Sequence, residues 1–284
     1  MNLKQIILQM SEKTKLNPLD IELILAYVLK KSREFIITHP EYKLIKNQEL
    51  KCKKLITQRK NYVPIAYLTG RKEFYGLNFK VNKNVLIPRP ETELMVDETL
   101  KLATHNTKHE TIVDVGTGSG CIIITLAKLI KNCKLFGIDI SENALKVARH
   151  NSKLNNVNKK IKFLKGNLLK PILDSKLVIR NSKLIIVANL PYLTPTQIKK
   201  SPSIKHEPKL ALTAGPDGLK YYRQLFKQIK TLHTIGYVLC EIDPDQTTKI
   251  KQLIKLELPK ASYQIKKDLS GLNRLVIISI PSPC

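Results

Sequence analysis

The sequence has no tryptophan, only 6 Phe and 3 Met, and five cysteines among 284 residues. Cys52, Cys121, Cys133, Cys240 and Cys284 form an odd, widely spaced set without Cys-x-x-Cys pairing or a nearby His. That pattern argues against both a disulfide framework and a zinc site, so no metal is expected. No apolar run approaches the ~18 residues of a membrane span, and the start Met1-Asn2-Leu3-Lys4-Gln5 has no apolar targeting core. The expectation is a cytoplasmic protein with no membrane partner. Acidic residues are scarce as well: 23 Asp and Glu face 49 Lys and Arg, a net charge of +26. The excess is Lys (41 against 8 Arg) and is spread along the chain, residues 1–80 carrying 16 basic and 7 acidic side chains. Such a charge fits a nucleic-acid surface and an AT-rich coding composition equally well, and ribosome proximity is compatible with either. Direct nucleic-acid binding is therefore disfavoured rather than excluded. Repeats and low-complexity tracts are absent.

What is present begins with the apolar run Leu184-Ile185-Ile186-Val187-Ala188, which reads as a buried parallel strand closing on Asn189-Leu190-Pro191-Tyr192. In open α/β sheets ligands bind just past the carboxyl ends of strands. An Asn-x-Pro-Tyr turn there can grip a planar amino group. The Asn189 side-chain oxygen and the Leu190 carbonyl each accept one N–H, and the Tyr192 ring supplies an apolar face. Amide and aryl-amine nitrogens are poor nucleophiles because their lone pair is delocalised. Acceptors that draw the hydrogens out of plane favour the geometry in which that pair attacks. Taken alone, the tetrapeptide reads equally as a strand followed by a Pro turn.

A second motif lies about 70 residues upstream. The strand Thr111-Ile112-Val113-Asp114-Val115 runs into Gly116-Thr117-Gly118-Ser119-Gly120 and then into an apolar helix from Cys121. The next strand, from Lys134, ends in Asp139, 19 positions after Gly120, where a carboxylate can accept both hydrogens of a ribose diol. Turn and acid together point to a nucleoside-bearing cofactor. The Asp-x-Gly-x-Gly-x-Gly spacing is not the Gly-x-Gly-x-x-Gly of a pyrophosphate cradle, and Asp114 suits a cation. S-adenosyl-L-methionine is thus the expected cofactor, and a dinucleotide is the minor reading.

The rest of the chain supplies an organisation. Asn17-Pro18-Leu19-Asp20 opens a helix whose Ile21, Ile24, Leu25, Val28 and Leu29 share one face. Pro40 ends the next segment, and Glu49 to Arg59 reads as another amphipathic helix, with the dense run from Lys51 to Lys60 on its solvated face. Glu73 to Val81 alternates like a hairpin. Ser141 caps a helix; strands are expected at Ile161–Leu164 and Gly236–Cys240, a helix near Gln246 to Glu257, and a final hairpin ending at Leu275–Ile278. The fold class is α/β: a mostly parallel sheet with an antiparallel C-terminal hairpin, preceded by a small helical domain. The expected domains are 1–72 helical, 73–90 a hairpin linker, and 91–284 catalytic.

Pro64-Ile65-Ala66-Tyr67-Leu68-Thr69-Gly70, Glu73-Phe74-Tyr75-Gly76-Leu77 and Leu86-Ile87-Pro88-Arg89-Pro90-Glu91-Thr92-Glu93 resemble motifs of the HemK/PrmC family of peptide chain release factor N5-glutamine methyltransferases. So do Leu19 to Leu23, Ser32-Arg33-Glu34, His39-Pro40-Glu41, Glu207-Pro208, and Gly215-Pro216-Asp217-Gly218-Leu219. The resemblance runs from about residue 16 to residue 278, and the Ile-Pro-Arg-Pro-Glu-Thr-Glu block is its most specific part. It implies a Rossmann-like class I S-adenosylmethionine methyltransferase domain, with residues 1–72 docking the substrate. Asp114, Gly116, Thr117, Gly118, Ser119, Gly120, Asp139, Asn167, Leu168 and Asn189 would surround the cofactor. Asn189, Leu190, Pro191 and Tyr192 would hold the glutamine amide of a release factor's Gly-Gly-Gln motif, the release factor being the protein partner. Two departures stand out. Leu190 replaces the first Pro of the family's Asn-Pro-Pro-Tyr, an exchange expected to cost rigidity rather than chemistry. Gly166-Asn167-Leu168 replaces an acid commonly found near the adenine.

The implied chemistry is in-line displacement at a sulfonium methyl, resting on orientation and two carbonyl acceptors rather than on a base. His206, beside Glu207-Pro208, reads as structural. Other readings stay open: an adenine-N6 methyltransferase acting on rRNA or DNA, whose motif Asn-Leu-Pro-Tyr also resembles; a glutamine methyltransferase of a large-subunit ribosomal protein; and a non-enzymatic module on the ribosome.

Overall fold

A computed structural model describes residues 1–103, 110–174, 183–200, 202–232 and 235–281. Cys284 lies outside them, and the other four cysteines are free thiols. The chain divides into two compact units, Met1–Arg71 with Pro202–His206, and Lys72–Ser201 with Glu207–Cys284. Residues 73–90, expected as a linker, fall within the second unit. Among the described residues no helix is long and apolar enough to cross a membrane.

The first unit is helical: Leu3–Thr14, Pro18–Leu29, Arg33–Thr38, Lys46–Lys60 and Ile65–Thr69. The expected start at Asn17 is there, its side chain accepting from the Leu19 amide with Pro18 at the first helical position. Ile21, Ile24, Leu25 and Val28 fill a core with Leu3, Ile6, Ile36, Cys52, Ile56 and Leu68. Each such aliphatic contributes about 1.5–3 kcal/mol by leaving water. In Lys46–Lys60, Cys52 and Ile56 are buried while Lys51, Lys53 and Lys54 are exposed. The Leu3–Thr14 helix was not foreseen. Its N-terminus is a capping box between Asn2 and Gln5 rather than the Pro-and-acid start that marks the second helix.

The second unit opens with a hairpin, β1 (Arg71–Phe74) and β2 (Leu77–Lys80), and continues with seven strands in one sheet: β3 (Glu110–Val115), β4 (Cys133–Asp139), β5 (Ile161–Lys165), β6 (Lys183–Ala188), β7 (Ile235–Glu241), β8 (Ser262–Lys267) and β9 (Asn273–Ser279). Their order is β5-β4-β3-β6-β7-β9-β8. Pairings from β5 to β7 are parallel, whereas β9 runs antiparallel to both β7 and β8. Successive side chains point to opposite faces, and both faces are covered. Leu184, Ile186 and Ala188 of β6 enter a cluster with Tyr222, Leu225 and Phe226 of the Lys220–Ile229 helix. Ile185 and Val187 enter the other cluster, with Ile123, Leu126, Phe74 and Phe79. That alternation is why these strands read as continuous apolar runs.

Chain order reverses at β3: β4 and β5 lie on one side of it, β6 and β7 on the other. In such sheets a crevice opens where the order reverses, beyond the carboxyl ends. Val115 pairs with Ala188 across this boundary. The glycine turn and the Asn189 turn, 73 positions apart in sequence, therefore leave the sheet side by side.

Candidate active site

A cleft opens at this switch point, about 1110 Å³ of empty space in all, including its open mouth. Gly116, Thr117, Gly118, Ser119, Asp139, Asn167, Leu168, Asn189, Leu190 and Pro191 line it. Asp114, Gly120 and Tyr192, which the sequence grouped with them, stand behind the wall rather than on it.

The glycine turn is held by the strand beside it. The amides of Gly116 and Thr117 both donate to the Ile138 carbonyl at 2.8 Å. Asp139 spans the gap, its Oδ2 accepting from the Gly118 amide (2.9 Å) and its Oδ1 from the Ser141 amide (2.8 Å). Two in-plane backbone donors fix the carboxylate and leave its other lone pairs toward the cleft. Burial raises its pKa, against the pull of those amides. Asp114 sits beneath the turn, 1% exposed, with Oδ2 accepting from the Thr117 hydroxyl (2.7 Å) and Oδ1 without a partner among the described residues. Burial pushes its carboxyl up to about 7. Gly116 sits at φ +76°, where an L residue is strained, and a Cβ there would press on Leu190 Cδ2 at 3.0 Å, so that the Leu190 side chain would have to give.

The Asn189 turn is held by residues far away in sequence. Asn189 Nδ2 donates to Thr92 Oγ1 (3.1 Å), and Thr92 Oγ1 donates to Glu241 Oε2 (2.7 Å). The Tyr192 hydroxyl donates to Glu241 Oε1 (3.2 Å). Glu241 closes β7, 1% exposed, and burial pushes its carboxyl up to about 7. Burial and the Glu241 charge raise the Tyr192 phenol well above its ordinary range, so that hydroxyl stays protonated. On the outer side, the Tyr192 carbonyl accepts from Gln246 Nε2 (2.7 Å), and Leu193 bridges to Leu212 and Ala214. Gly218 (φ +71°) makes this latch possible, since a Cβ there would lie 2.2 Å from the Tyr192 carbonyl oxygen. No hydrogen bond among the described residues takes up the Leu190 carbonyl.

One wall comes from the Ile-Pro-Arg-Pro-Glu-Thr-Glu block. The Ile87 amide donates to Glu207 Oε2 (3.1 Å), and Arg89 pairs with Glu207 Oε1 (2.5 Å). The Glu207 side chain is 2% exposed and that of Arg89 33%, so a buried carboxylate meets a partly solvated guanidinium and ties the Ile87–Arg89 lining to the Pro208–Ala211 lining. His206 belongs to the first unit, its Nε2 against the Asn61 carbonyl (2.9 Å).

Thr92, Glu207 and Glu241 were not singled out individually by the sequence reading. For Glu241 a signal existed: it is an acid at the carboxyl end of a core strand, as Asp139 is. Thr92 and Glu207 lay inside motifs already noted, but nothing local marks them as hydrogen-bond partners of Asn189 or Arg89.

A model of the PrmC N-terminal domain matches residues 3–70, and one of a methyltransferase domain matches residues 106–270. The first match begins at residue 3, so the family likeness extends further toward the N-terminus than residue 16. The chain is 36% identical over 262 residues to the release factor glutamine methyltransferase of Clostridium acetobutylicum, covering 91% of this chain and 90% of that protein. It is 35% identical to that of Dictyoglomus turgidum, covering 96% and 97%. Among solved structures it resembles the hMettl16 catalytic domain in complex with MAT2A 3'UTR hairpin 1, with a TM-score of 0.60 at 15% identity over 92% of this chain and 94% of that one. It also resembles the N-terminal domain of human METTL16 in complex with SAH, with a TM-score of 0.54 at 16% identity over 91% and 95%. These two likenesses speak for the Rossmann-type methyltransferase fold alone. With full-length relatives above one third identity and both domain models in place, the chain belongs to the release factor glutamine methyltransferase family.

Proposed function

We propose that the protein transfers the methyl group of S-adenosylmethionine to the side-chain amide nitrogen (N5) of the glutamine in the Gly-Gly-Gln motif of peptide chain release factors. The observation that carries this is the orientation of Asn189. Its amino group is committed to Thr92, which leaves Oδ1 as an acceptor beside the unclaimed Leu190 carbonyl at the mouth of the glycine turn. Two adjacent acceptors match the two N–H groups of a primary amide.

The site residues fit the cofactor. Asp139, pre-set by two amides, suits a ribose diol, and the orphaned buried Oδ1 of Asp114 places negative potential under a cationic tail. Asn167 takes the adenine end, with Leu168 closing against it. Bound there, S-adenosylmethionine supplies an electrophilic methyl on its sulfonium. The residues of the chain do the rest. Asn189 Oδ1 and the Leu190 carbonyl turn the amide so that its lone pair faces the methyl, and Pro191 stiffens the turn. The hydrophobic wall of Leu210, Ala211 and Tyr221 excludes water. The nitrogen becomes acidic once alkylated and loses its proton afterwards, so no strong base is needed at the start.

The helical segment, residues 1–72, is proposed to dock the release factor, and the protein is proposed to act in the cytoplasm, where release factors work. The test is mass spectrometry of a recombinant release factor incubated with the protein and S-adenosylmethionine. A gain of one methyl on the Gly-Gly-Gln glutamine is expected. Faster transfer to rRNA or duplex DNA would overturn the assignment in favour of adenine.

A further inference from the structure

We propose that Glu241 is a positioning residue which, through the Thr92 hydroxyl, sets the rotamer of the Asn189 amide and so decides whether the cleft presents an acceptor or a donor to the substrate. The inference rests on the methyl-transfer reading above and adds two residues to it.

The reasoning starts from hydrogen counting. Thr92 has one hydroxyl proton and is 1% exposed, so no water can relieve it. Its proton goes to Glu241 Oε2 at 2.7 Å. With that proton spent, Thr92 Oγ1 can only accept, and the group 3.1 Å away that can satisfy it is the Asn189 amino group. An Asn side chain has its donor and acceptor on opposite sides of one carbon. Fixing Nδ2 on Thr92 therefore fixes Oδ1 on the cleft side. Remove the demand of Glu241 for a proton and the order can reverse: Thr92 donates to Oδ1, and the Asn189 amino group faces the substrate amine, donor against donor.

Glu241 is built for this task. Both its oxygens receive hydroxyl donors, Thr92 on one and Tyr192 on the other. Its backbone is anchored because the Tyr222 hydroxyl donates to its carbonyl. The carboxyl thus meets the acceptor turn at two points, Asn189 through Thr92 and Tyr192 directly, without lining the cleft itself. The groups that face it are Thr92 and Glu91 from the segment after β2, Tyr192 after β6, Arg274 of β9, Tyr222 of the Lys220–Ile229 helix and Cys121 of the Cys121–Leu129 helix. Arg274 favours the carboxylate and Glu91 opposes it, while burial in the sheet end opposes it most. Protonation of Glu241 would supply a hydrogen to Thr92 and undo the commitment, so transfer should be favoured on the alkaline side.

Two experiments test this, one of which needs no substrate. In 15N-labelled protein, the side-chain amide of Asn189 (assigned by its loss in Asn189→Asp) should show one hydrogen-bonded proton. It should lose that signature in Thr92→Val and keep it in Thr92→Ser. In single-turnover methylation at saturating cofactor, Glu241→Gln and Thr92→Val should lower the rate at least about tenfold, with cofactor affinity within about twofold of wild type. Thr92→Ser should recover most of the rate. The acid limb of the wild-type pH profile should vanish in Glu241→Gln, which cannot titrate. Wild-type rates and an unchanged pH profile in both Glu241→Gln and Thr92→Val would overturn the proposal, as would an Asn189 amide indifferent to Thr92→Val. If the wild-type protein fails to methylate any release factor, the functional reading falls, and the amide resonance still judges the positioning role.

Discussion

The two turns at the switch point share a cleft but are built by opposite means. The glycine turn is held within its own neighbourhood: its hydrogen bonds, from Thr117 on Asp114 and Gly118 on Asp139 to Asn151 Nδ2 on the Ser119 carbonyl (2.8 Å), close inside residues 114–151. The Asn189 turn is held from afar, by Thr92 at a separation of 97 residues; Thr92 in turn reaches Glu241 at a separation of 149. A βαβ unit can assemble the first, whereas only the completed sheet assembles the second. Cofactor binding should therefore survive damage to the rest of the fold better than methyl transfer does.

The largest expected effect separates the two functions outright. On the proposed reading, Asn189→Ala removes an acceptor whose hydrogen bond tightens as the substrate nitrogen becomes tetrahedral. The loss should fall on kcat, by about 10²–10³, the scale for one preorganised transition-state hydrogen bond. Cofactor affinity should stay near wild type. Single-turnover methylation together with titration calorimetry reads both. A wild-type rate would reduce the Asn189 turn to a turn.

The mirror experiment is Asp139→Ala. It deletes the carboxylate that ties the glycine turn to the β4 end and that the proposed reading assigns to the ribose. Affinity for S-adenosylmethionine should fall by one to two orders of magnitude, roughly 1.4–2.8 kcal/mol. At saturating cofactor, kcat should change little. If both variants lose both properties equally, the contrast between a local and a long-range turn is wrong.

This contrast also explains what could be read from the sequence. The strands, the Ser141 and Asn17 caps and the glycine turn follow from contiguous patterns, and so does Asp139, because its partners are two to 21 residues away. The reversal of strand order at β3 was not derivable from spacing, yet it is what brings residues 116 and 189 together. Thr92 and Glu241 were invisible as partners for the same reason: a hydroxyl at one place and an acid 149 positions later carry no periodicity. The Leu3–Thr14 helix does carry an apolar stripe, with Leu3, Ile6, Ile7 and Met10 at helical spacing and packed into the first unit's core; its start, capped by Asn2 with neither Pro nor an acid in the first turn, is what made it inconspicuous.

A smaller effect concerns stability and pH, where the turns converge, since each has one buried acid. Asp114 and Glu241 are both pushed up to about 7, from ordinary values near 4. A folded state that binds protons more tightly than the unfolded one is stabilised at low pH. The contribution is full below about pH 4, declines as pH rises toward 7 and is absent above it. Each acid accounts for on the order of 4 kcal/mol of that decline. Carboxylates held low, Asp268 by the Leu272 amide and then Arg274, and Asp217 by Arg223, act the other way, below about pH 4. Chemical denaturation between pH 5 and 7.5 should show stability falling with pH, and Asp114→Asn and Glu241→Gln should each flatten the slope. A slope unchanged in both variants would mean that neither acid is raised in solution.

The smallest effect expected is at the position where this chain departs from its family. Leu190→Pro retains the backbone carbonyl and stiffens the turn, so the acceptor geometry is preserved. It nevertheless removes two things the structure uses. The Leu190 side chain is 4% exposed and packs against Gly116, linking the two turns. The Leu190 amide also faces the buried Tyr222 oxygen, an interaction no proline can make. The exchange thus involves more than the rigidity read from the sequence: it gives up packing and one backbone donor in return for a fixed φ. Loss of that contact and donor should cost about 1–2 kcal/mol of stability, partly offset by the lower chain entropy of proline in the unfolded state. The rate of transfer should stay within about threefold, because neither lost interaction touches the substrate amide. Thermal melting and single-turnover methylation measure the two quantities independently. A rate drop beyond tenfold with melting unchanged would show that Leu190 aims the carbonyl itself, making this contact between the local and the long-range turn part of the transfer step.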